Sequence, residues 1–322
     1  MHIEGKKIAF IVDAFPAVSE TWLINQVADL RDRGIEIEIF SLRPGHSDNI
    51  SDRYYKYRMA EFTHYLNMPN NILHRLLSVI PKMLRLLIKA PMVLARSLNI
   101  VKYGRQATSL QLIFWAEPFV GKKFDLFHCH HGTAAKKFLD IRYSLGSRDK
   151  IITSFYGQDV SRIFKAKGDN YYDELKKVSS AFIVMSTFMK ERVVAKGFDP
   201  SKIHVIPIFG IDVDLYPFKE RTIKAGEEFK MVSVGRLVEK KGFDDLLRAL
   251  TIVKSKANRK ITCDIIGGGP LEANLLEMRK DLNLEDTVSF KGFMKIDDVI
   301  KHFMNMHLYL QPSKTAPNGD ME

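Results

Sequence analysis

Cysteine is nearly missing from this 322-residue chain: Cys129 and Cys263 are its two thiols, far apart and each in an apolar stretch. That excludes a disulfide-stapled scaffold and fits a reducing cytoplasm. Long apolar runs are missing as well. No stretch approaches the roughly 20 residues needed to span a bilayer. Met1 to Phe10 lacks an apolar core with a small-residue cleavage site, so no secretory signal is expected. The expectation is a protein that is soluble, or that sits on a membrane without crossing it. Common catalytic signatures are also lacking: there is no Walker phosphate loop, no complete Gly-x-Gly-x-x-Gly fingerprint, and no Ser-His-Asp set or Gly-x-Ser-x-Gly elbow.

Acidic residues are absent from one long stretch. Between Glu61 and Glu117 no Asp or Glu occurs, while Arg75, Lys82, Arg85, Lys89, Arg96, Lys102 and Arg105 all fall inside. The chain as a whole carries a formal net charge of +11, which suits nucleic acid, an anionic membrane face or phosphorylated substrates. Leu, Ile and Met interleave with the basic residues at helical spacing, predicting cationic amphipathic helices over about 72–106, broken at Pro81 and Pro91. Such helices either lie on anionic lipid or pack on the domain with ordinary basic outer faces. Nucleic acid fits less well, since no nucleic-acid motif accompanies the cluster.

What is present reads as alternating strands and helices. Lys7 to Val12 forms an apolar strand, followed by turn chemistry at Asp13 to Pro16 and a helix with Leu23, Val27 and Leu30 on one stripe, stopped at Gly34. Ile35, Ile37 and Ile39 alternate with Glu36 and Glu38 in a second strand. Further strands are expected at Phe124–His130, Ile151–Tyr156, Ala181–Met185 and Ile203–Ile206. After a charged segment the pattern restarts, with strands near 230–234, 262–266, 287–290 and 307–310 separated by helices. Strand-helix alternation implies parallel sheets. The fold class is therefore α/β, with two Rossmann-like doubly wound units: residues 1–218 and 219–322. Four strands fall short of the usual five or six of such a half, so the second unit is expected to be incomplete at its C-terminus.

In parallel α/β sheets ligands bind at the carboxyl ends of strands. After the first strand, Ser19 is placed to cap the next helix, and Glu20 and Thr21 stand at its positive end. The helix start also offers free N–H groups to a phosphate or a sugar hydroxyl. After the strand at 230–234 comes Gly235, then Arg236 and Lys241 around a turn closed by Gly242. A planar guanidinium and an ammonium beside a helix start make a diphosphate cradle; a solvated basic loop is the simpler alternative. Gly267, Gly268, Gly269 and Pro270 form a turn open to close backbone approach. The run His128-Cys129-His130-His131 is not a zinc site, because neighbours on a strand point to opposite faces.

Together these segments resemble glycosyltransferase family 4, a group of retaining enzymes with the two-domain GT-B fold, and are most similar to its bacterial exopolysaccharide and colanic-acid members. The likeness rests on Phe15-Pro16-Ala17-Val18-Ser19-Glu20-Thr21, on Phe155-Tyr156-Gly157-Gln158-Asp159-Val160-Ser161, and on Lys202 to Pro207 with Gly210-Ile211-Asp212. It continues through Val234-Gly235-Arg236 with Lys241-Gly242, Gly267 to Leu271, and Val288 to Gly292. Asn318 and Glu322 lie in what looks like the approach to the family's paired-glutamate motif. The resemblance implies two domains facing a cleft, with a nucleotide-diphosphate sugar as co-substrate and no metal or other cofactor. Arg236 and Lys241 would hold the diphosphate and Glu322 the donor sugar. Gly235, Gly267, Gly269, Pro270, Phe293 and Asn318 would line the donor site. Ser19, Glu20, Thr21, Tyr156, Gly157 and Asp159 would face it from the first domain. The acceptor would be a saccharide, lipid-linked and reached from the inner face of the cytoplasmic membrane.

One departure is Tyr156, where the family usually has a histidine; a phenol donates a hydrogen bond but does not become a cation near neutral pH. Other readings stay open: a nucleotide-sugar epimerase or another GT-B enzyme, or a non-catalytic protein that binds nucleotide sugars.

Overall fold

The computed structural model describes residues 4–17, 20–45, 50–207, 213–218 and 220–321. Two compact units emerge: Met1–Ser47 with Asp52–Gly210, and Asp48–Ser51 with Ile211–Glu322.

Among the described residues the first unit holds seven strands: β1 (Lys7–Phe15), β2 (Glu36–Pro44), β3 (Thr63–Tyr65), β4 (Leu126–His130), β5 (Ile151–Ser154), β6 (Ala181–Val184) and β7 (Ile203–Val205). All pair in parallel, in the order β3-β2-β1-β4-β5-β6-β7. A parallel sheet covered on both faces needs apolar side chains at successive positions. Ala9, Phe10, Ile11 and Val12 in β1 accordingly are all buried. The Ile/Glu alternation of β2 has another cause. Glu38 sits among Lys7, Lys122 and His64, so its carboxylate is neutralised where the strand enters the sheet.

The second unit repeats the scheme with β8 (Phe229–Val234), β9 (Ile261–Ile266), β10 (Val288–Gly292) and β11 (Leu308–Tyr309), parallel in the order β10-β9-β8-β11. Helix Phe243–Lys256 buries Phe243, Leu246, Leu247 and Leu250 on this sheet. Both units thus reverse strand order beside their first strand, between β1 and β4 and between β8 and β11. Such reversal points open the crevices in which doubly wound folds hold ligands.

One expectation needs correction, and one strand is additional. Helix Ile72–Lys89 runs straight through Pro81, and the chain breaks only at Ala90, before the next helix Pro91–Ser97. Proline 81 stands on the exposed side, where water can hydrate the carbonyl that loses its partner. Val79 and Leu86, with Lys82 and Arg85 bonded to Glu117, anchor the helix on both sides of it. The edge strand β3 has no counterpart in the sequence reading, because three residues of mixed polarity carry no period.

Candidate functional site

In the first unit the reversal between β1 and β4 gathers side chains from three loops. Glu20 occupies the N-cap position of helix Thr21–Asp32, and its carboxylate makes no capping bond. It lies 3.5 Å from Nε2 of His131 instead. His131 follows β4 in a left-handed backbone conformation (φ 73°) that few residues other than glycine adopt, and it opens helix Gly132–Leu145. Its Nδ1 is 2.9 Å from Asp159, which comes from the loop after β5.

Asp159 is fully buried and fully used. Its carboxylate accepts the Gly132 N–H at 3.1 Å, the Tyr156 N–H at 3.0 Å and the Tyr172 hydroxyl at 3.3 Å, besides contacting His131. It therefore caps one helix, closes its own turn and holds an imidazole. Gly132 permits this crowding: a Cβ there would meet the Phe155 ring at 2.4 Å.

The electrostatics single out one histidine. Burial holds His128 at a pKa of about 4, and burial with two neighbouring imidazoles keeps His130 well below its usual value. Burial opposes charge at His131 too. There, hydrogen bonds and opposite charges from Asp159 and Glu20 outweigh it and lift the pKa to about 10. His131 is thus an imidazolium at neutral pH. Tyr156 packs 4.6 Å from its ring, with Trp22 at 4.7 Å on another side. The Tyr156 hydroxyl shares a 2.9 Å hydrogen bond with Nδ1 of His130, and burial keeps the phenol protonated. The cation that Tyr156 cannot supply is present next door. In the sequence the only trace of His131 is the run His128-Cys129-His130-His131, which does not distinguish it from its neighbours. Among the described residues no cluster of three or more His, Cys, Asp or Glu side chains is placed to hold a metal ion. Gly157 lies in the Asp159 turn, its carbonyl accepting from Ser161. Thr21 is the first residue of its helix, and Ser19 falls outside the described residues.

In the second unit the loops at the carboxyl ends of β8, β9 and β10 are bolted together by backbone. Gly235 donates to Ile266, Leu237 to Gly268, Gly267 to Gly292 and Leu271 to Leu237, all at 2.8–3.1 Å. The glycines are required by contact. A Cβ on Gly267, whose φ is 134°, would stand 2.0 Å from the Gly235 carbonyl oxygen, and one on Gly269 would stand 2.6 Å from that of Leu237. A Cβ on Gly242 would meet the Pro312 carbonyl oxygen at 2.0 Å, so the segment after β11 closes on the same turn. Lys314 fastens that segment by donating its N–H to the Lys240 carbonyl and pairing with Asp244 and Asp245.

Lys241 lays its aliphatic stem along Gly235, near enough that a Cβ on Gly235 would be 3.3 Å from its Cδ. The Arg236 side chain is exposed from the same turn. Phe293, 57% exposed, covers Gly268 with its ring edge. Pro270 is exposed at the start of the glycine turn's helix. Asn318 lies in an exposed turn, its side-chain oxygen accepting the Asp320 N–H at 2.9 Å. Glu322 is outside the described residues. The structure thus collects Gly235, Arg236, Lys241, Gly267, Gly269 and Phe293 at one end of one sheet, and Glu20, His131, Tyr156 and Asp159 at one end of the other.

A family profile described as Glycosyltransferase Family 4 matches residues 19–215, and one described as Glycosyl transferases group 1 matches residues 217–319. The chain is 31% identical over 330 residues to the amylovoran biosynthesis glycosyltransferase AmsK of Erwinia amylovora, covering 98% of this chain and 77% of that one. It is 31% identical over 323 residues, with the same coverage, to the putative colanic acid biosynthesis glycosyltransferase WcaL of Salmonella typhimurium. Among solved structures it resembles Anabaena HepE in complex with UDP and glucose, with a TM-score of 0.62 and 16% identity over 97% of this chain and 75% of that one. TarM gives 0.63 and 13% over 96% and 80%. At such identities the structural likeness establishes the GT-B fold.

Proposed function

The chain belongs to glycosyltransferase family 4, and from that premise we propose that it transfers a sugar, with retention, from a nucleotide-diphosphate sugar to a saccharide acceptor in exopolysaccharide assembly. In this reaction the bond between the sugar's anomeric carbon and the diphosphate oxygen breaks. A bond to an acceptor hydroxyl oxygen forms, the hydroxyl proton passes to the departing diphosphate oxygen and on to water, and a nucleoside diphosphate leaves.

The observation that carries the reading is the turn after β8. Its backbone is bonded to β9 and to the glycine turn after it, the Lys241 stem is laid over Gly235 and Arg236 is exposed from the same turn, at the point where strand order reverses. A leaving diphosphate gains negative charge as the bond breaks. Fixed cations aimed at that position stabilise the transition state more than the ground state. We assign Arg236 and Lys241 to the diphosphate oxygens, the backbone around Gly267 and Gly269 to close approach by the nucleotide, and Phe293 to its base. Asn318 and Glu322 are assigned to the donor side, Glu322 accepting from sugar hydroxyls. With two cations in this role, turnover without a divalent metal is expected.

Glu20, Thr21 and Tyr156 are assigned to the acceptor, with Ser19 and Gly157. His131 and Asp159 act there as positioning residues: the imidazolium fixes the Glu20 carboxylate, and Asp159 fixes the imidazolium. The amylovoran and colanic acid relatives support a polysaccharide acceptor. On this reading it is carried by a lipid at the inner face of the cytoplasmic membrane.

The test is release of nucleoside diphosphate from a panel of nucleotide sugars, with and without saccharide acceptors and with a chelator present. Acceptor-dependent release that collapses in Arg236→Ala and in Lys241→Ala is expected. Undiminished turnover in both variants defeats the assignment, and acceptor-independent conversion of the donor indicates an epimerase instead.

A further inference from the structure

Helix Ile72–Lys89 is turned the wrong way for an ordinary surface helix. An amphipathic helix on a soluble domain buries its apolar stripe and shows its charges to water. Here only Val79 and Leu86 are buried, one narrow line at i and i+7. Two of the helix's four cations face the protein: Lys82 is 2.8 Å from Glu117, and Arg85 pairs with the same carboxylate, whose side chain is 7% exposed. At 3.6 residues per turn, Leu73, Leu77, Ile80, Leu84 and Ile88 form a continuous stripe about 150° round the helix from that line. Every one of them is more than half exposed. Beyond Ala90, Met92, Ile100 and Val101 are exposed as well, the last of these wholly.

The stretch of chain that carries this apolar face has one sign of charge, with the Asp140 carboxylate of helix Gly132–Leu145 close to Lys102. No acidic residue occurs from Phe62 to Ala116, and Lys89, Arg96, Lys102 and Arg105 are exposed along the same stretch. Outward aliphatic side chains, on a stretch of chain whose own charges are all cations, match the two layers of an anionic bilayer surface. Acyl chains would take the Leu and Ile side chains, and headgroup phosphates the Lys and Arg termini. Crossing is not the mode, since among the described residues no helix is long and apolar enough to span a membrane. At 18 residues the helix is about 27 Å long, enough to lie flat and bury its whole outer stripe.

We propose that helix Ile72–Lys89, with Met92, Ile100 and Val101, is a membrane-docking surface that inserts its outward aliphatic stripe into an anionic phospholipid leaflet. Glu117 is the tether that makes it possible. By drawing Lys82 and Arg85 inward, it fixes the rotation of the helix so that leucines, not lysines, point out. The proposal rests on this unit's own side chains and not on the assignment of the donor site.

Co-sedimentation of the whole protein with phosphatidylcholine vesicles, and with equimolar phosphatidylcholine and phosphatidylglycerol vesicles, tests it. Binding to the anionic vesicles is expected to exceed neutral binding by about tenfold or more and to weaken as salt rises. The pair Leu77→Glu and Leu84→Glu is expected to cut vesicle binding by about tenfold or more. Lys89→Glu with Arg105→Glu is expected to remove the anionic preference. All four side chains are exposed, so circular dichroism and the melting temperature serve as controls for folding. Equal binding to both vesicle types, or binding indifferent to both pairs, overturns the proposal. Self-association without lipid that the Leu77 and Leu84 changes dissolve, with no vesicle binding, overturns it in favour of a second copy of the chain. Sugar transfer to a soluble acceptor should continue in these variants, which separates failure here from failure of the proposed reaction.

Discussion

The His131 imidazole and the Asp159 carboxylate meet at 2.9 Å although 28 residues separate them, and the aspartate is wholly screened from water. One arrives from the end of β4, the other from the loop after β5, and pairing of those strands brings them together. Their contact joins the start of helix Gly132–Leu145 to the turn that carries Tyr156.

Removing the Asp159 carboxylate leaves a buried imidazolium and several N–H and O–H donors without their partner. Asp159→Ala is expected to destabilise the first unit by about 3–5 kcal/mol. Asp159→Asn, which keeps the shape and part of the hydrogen bonding, should cost about 1–3 kcal/mol. Urea unfolding followed by tryptophan fluorescence measures both, since Trp22 packs on Tyr156. A loss below 1 kcal/mol for the alanine variant is incompatible with this role.

Stability should also depend on pH through His131. Its folded-state pKa, about 10, lies above the ordinary value of 6.5. The folded state therefore holds the proton more tightly than the unfolded chain does. The contribution is complete below pH 6.5, declines above it, and is gone once pH has risen through about 10. His131→Gln should flatten the stability profile between those limits. A profile identical to that of the unaltered protein counts against a charged imidazole.

For the donor site, Arg236→Ala and Lys241→Ala are each expected to lower kcat by about 10²–10³-fold, the scale of losing one donor to a developing charge. Folding should be unaffected in Arg236→Ala, since that side chain is exposed. Steady-state assays with saturating donor separate the effect on kcat from weakened binding.

Gly267→Ala places a methyl 2.0 Å from the Gly235 carbonyl oxygen, at a φ that disfavours any side chain. The two loops must part. Nucleoside diphosphate binding, followed by calorimetry, should weaken by about tenfold or more, and the second unit should lose about 2 kcal/mol or more. Wild-type affinity in this variant would show that the glycine turn lies away from the donor.

The Glu117 tether gives a prediction that needs no lipid. Glu117→Gln leaves Lys82 and Arg85 without a counter-charge at a largely buried site, and about 1–3 kcal/mol of local stability should go. Hydrogen exchange should quicken in helix Ile72–Lys89 more than in β1. Uniform exchange across the unit would mean the tether does not hold that helix.

Much of this was local and therefore legible in the sequence. Parallel strands buried on both faces advertise themselves as short apolar runs, so Ala9 to Val12 and Ile261 to Ile266 declared themselves. Glycines at strand ends marked the turns, and the order of the motifs gave the family. Where the chain's own periodicity met no competitor, the boundaries moved by only a few residues. Strand β3, three residues long, had no period to show.

What the sequence could not contain is direction across long separations. Whether His131 is a neutral core ring or a cation depends on Glu20 and Asp159, which reach it from other loops. Whether Pro81 ends a helix depends on what holds the turns around it. The outward aim of Leu77 and Leu84 follows from a carboxylate over thirty residues away. Local pattern specifies which elements form, because backbone hydrogen bonds and side-chain periods act over a few residues. Tertiary packing alone decides which charges become partners and which face of a helix meets water, because those energies arise only when distant segments touch.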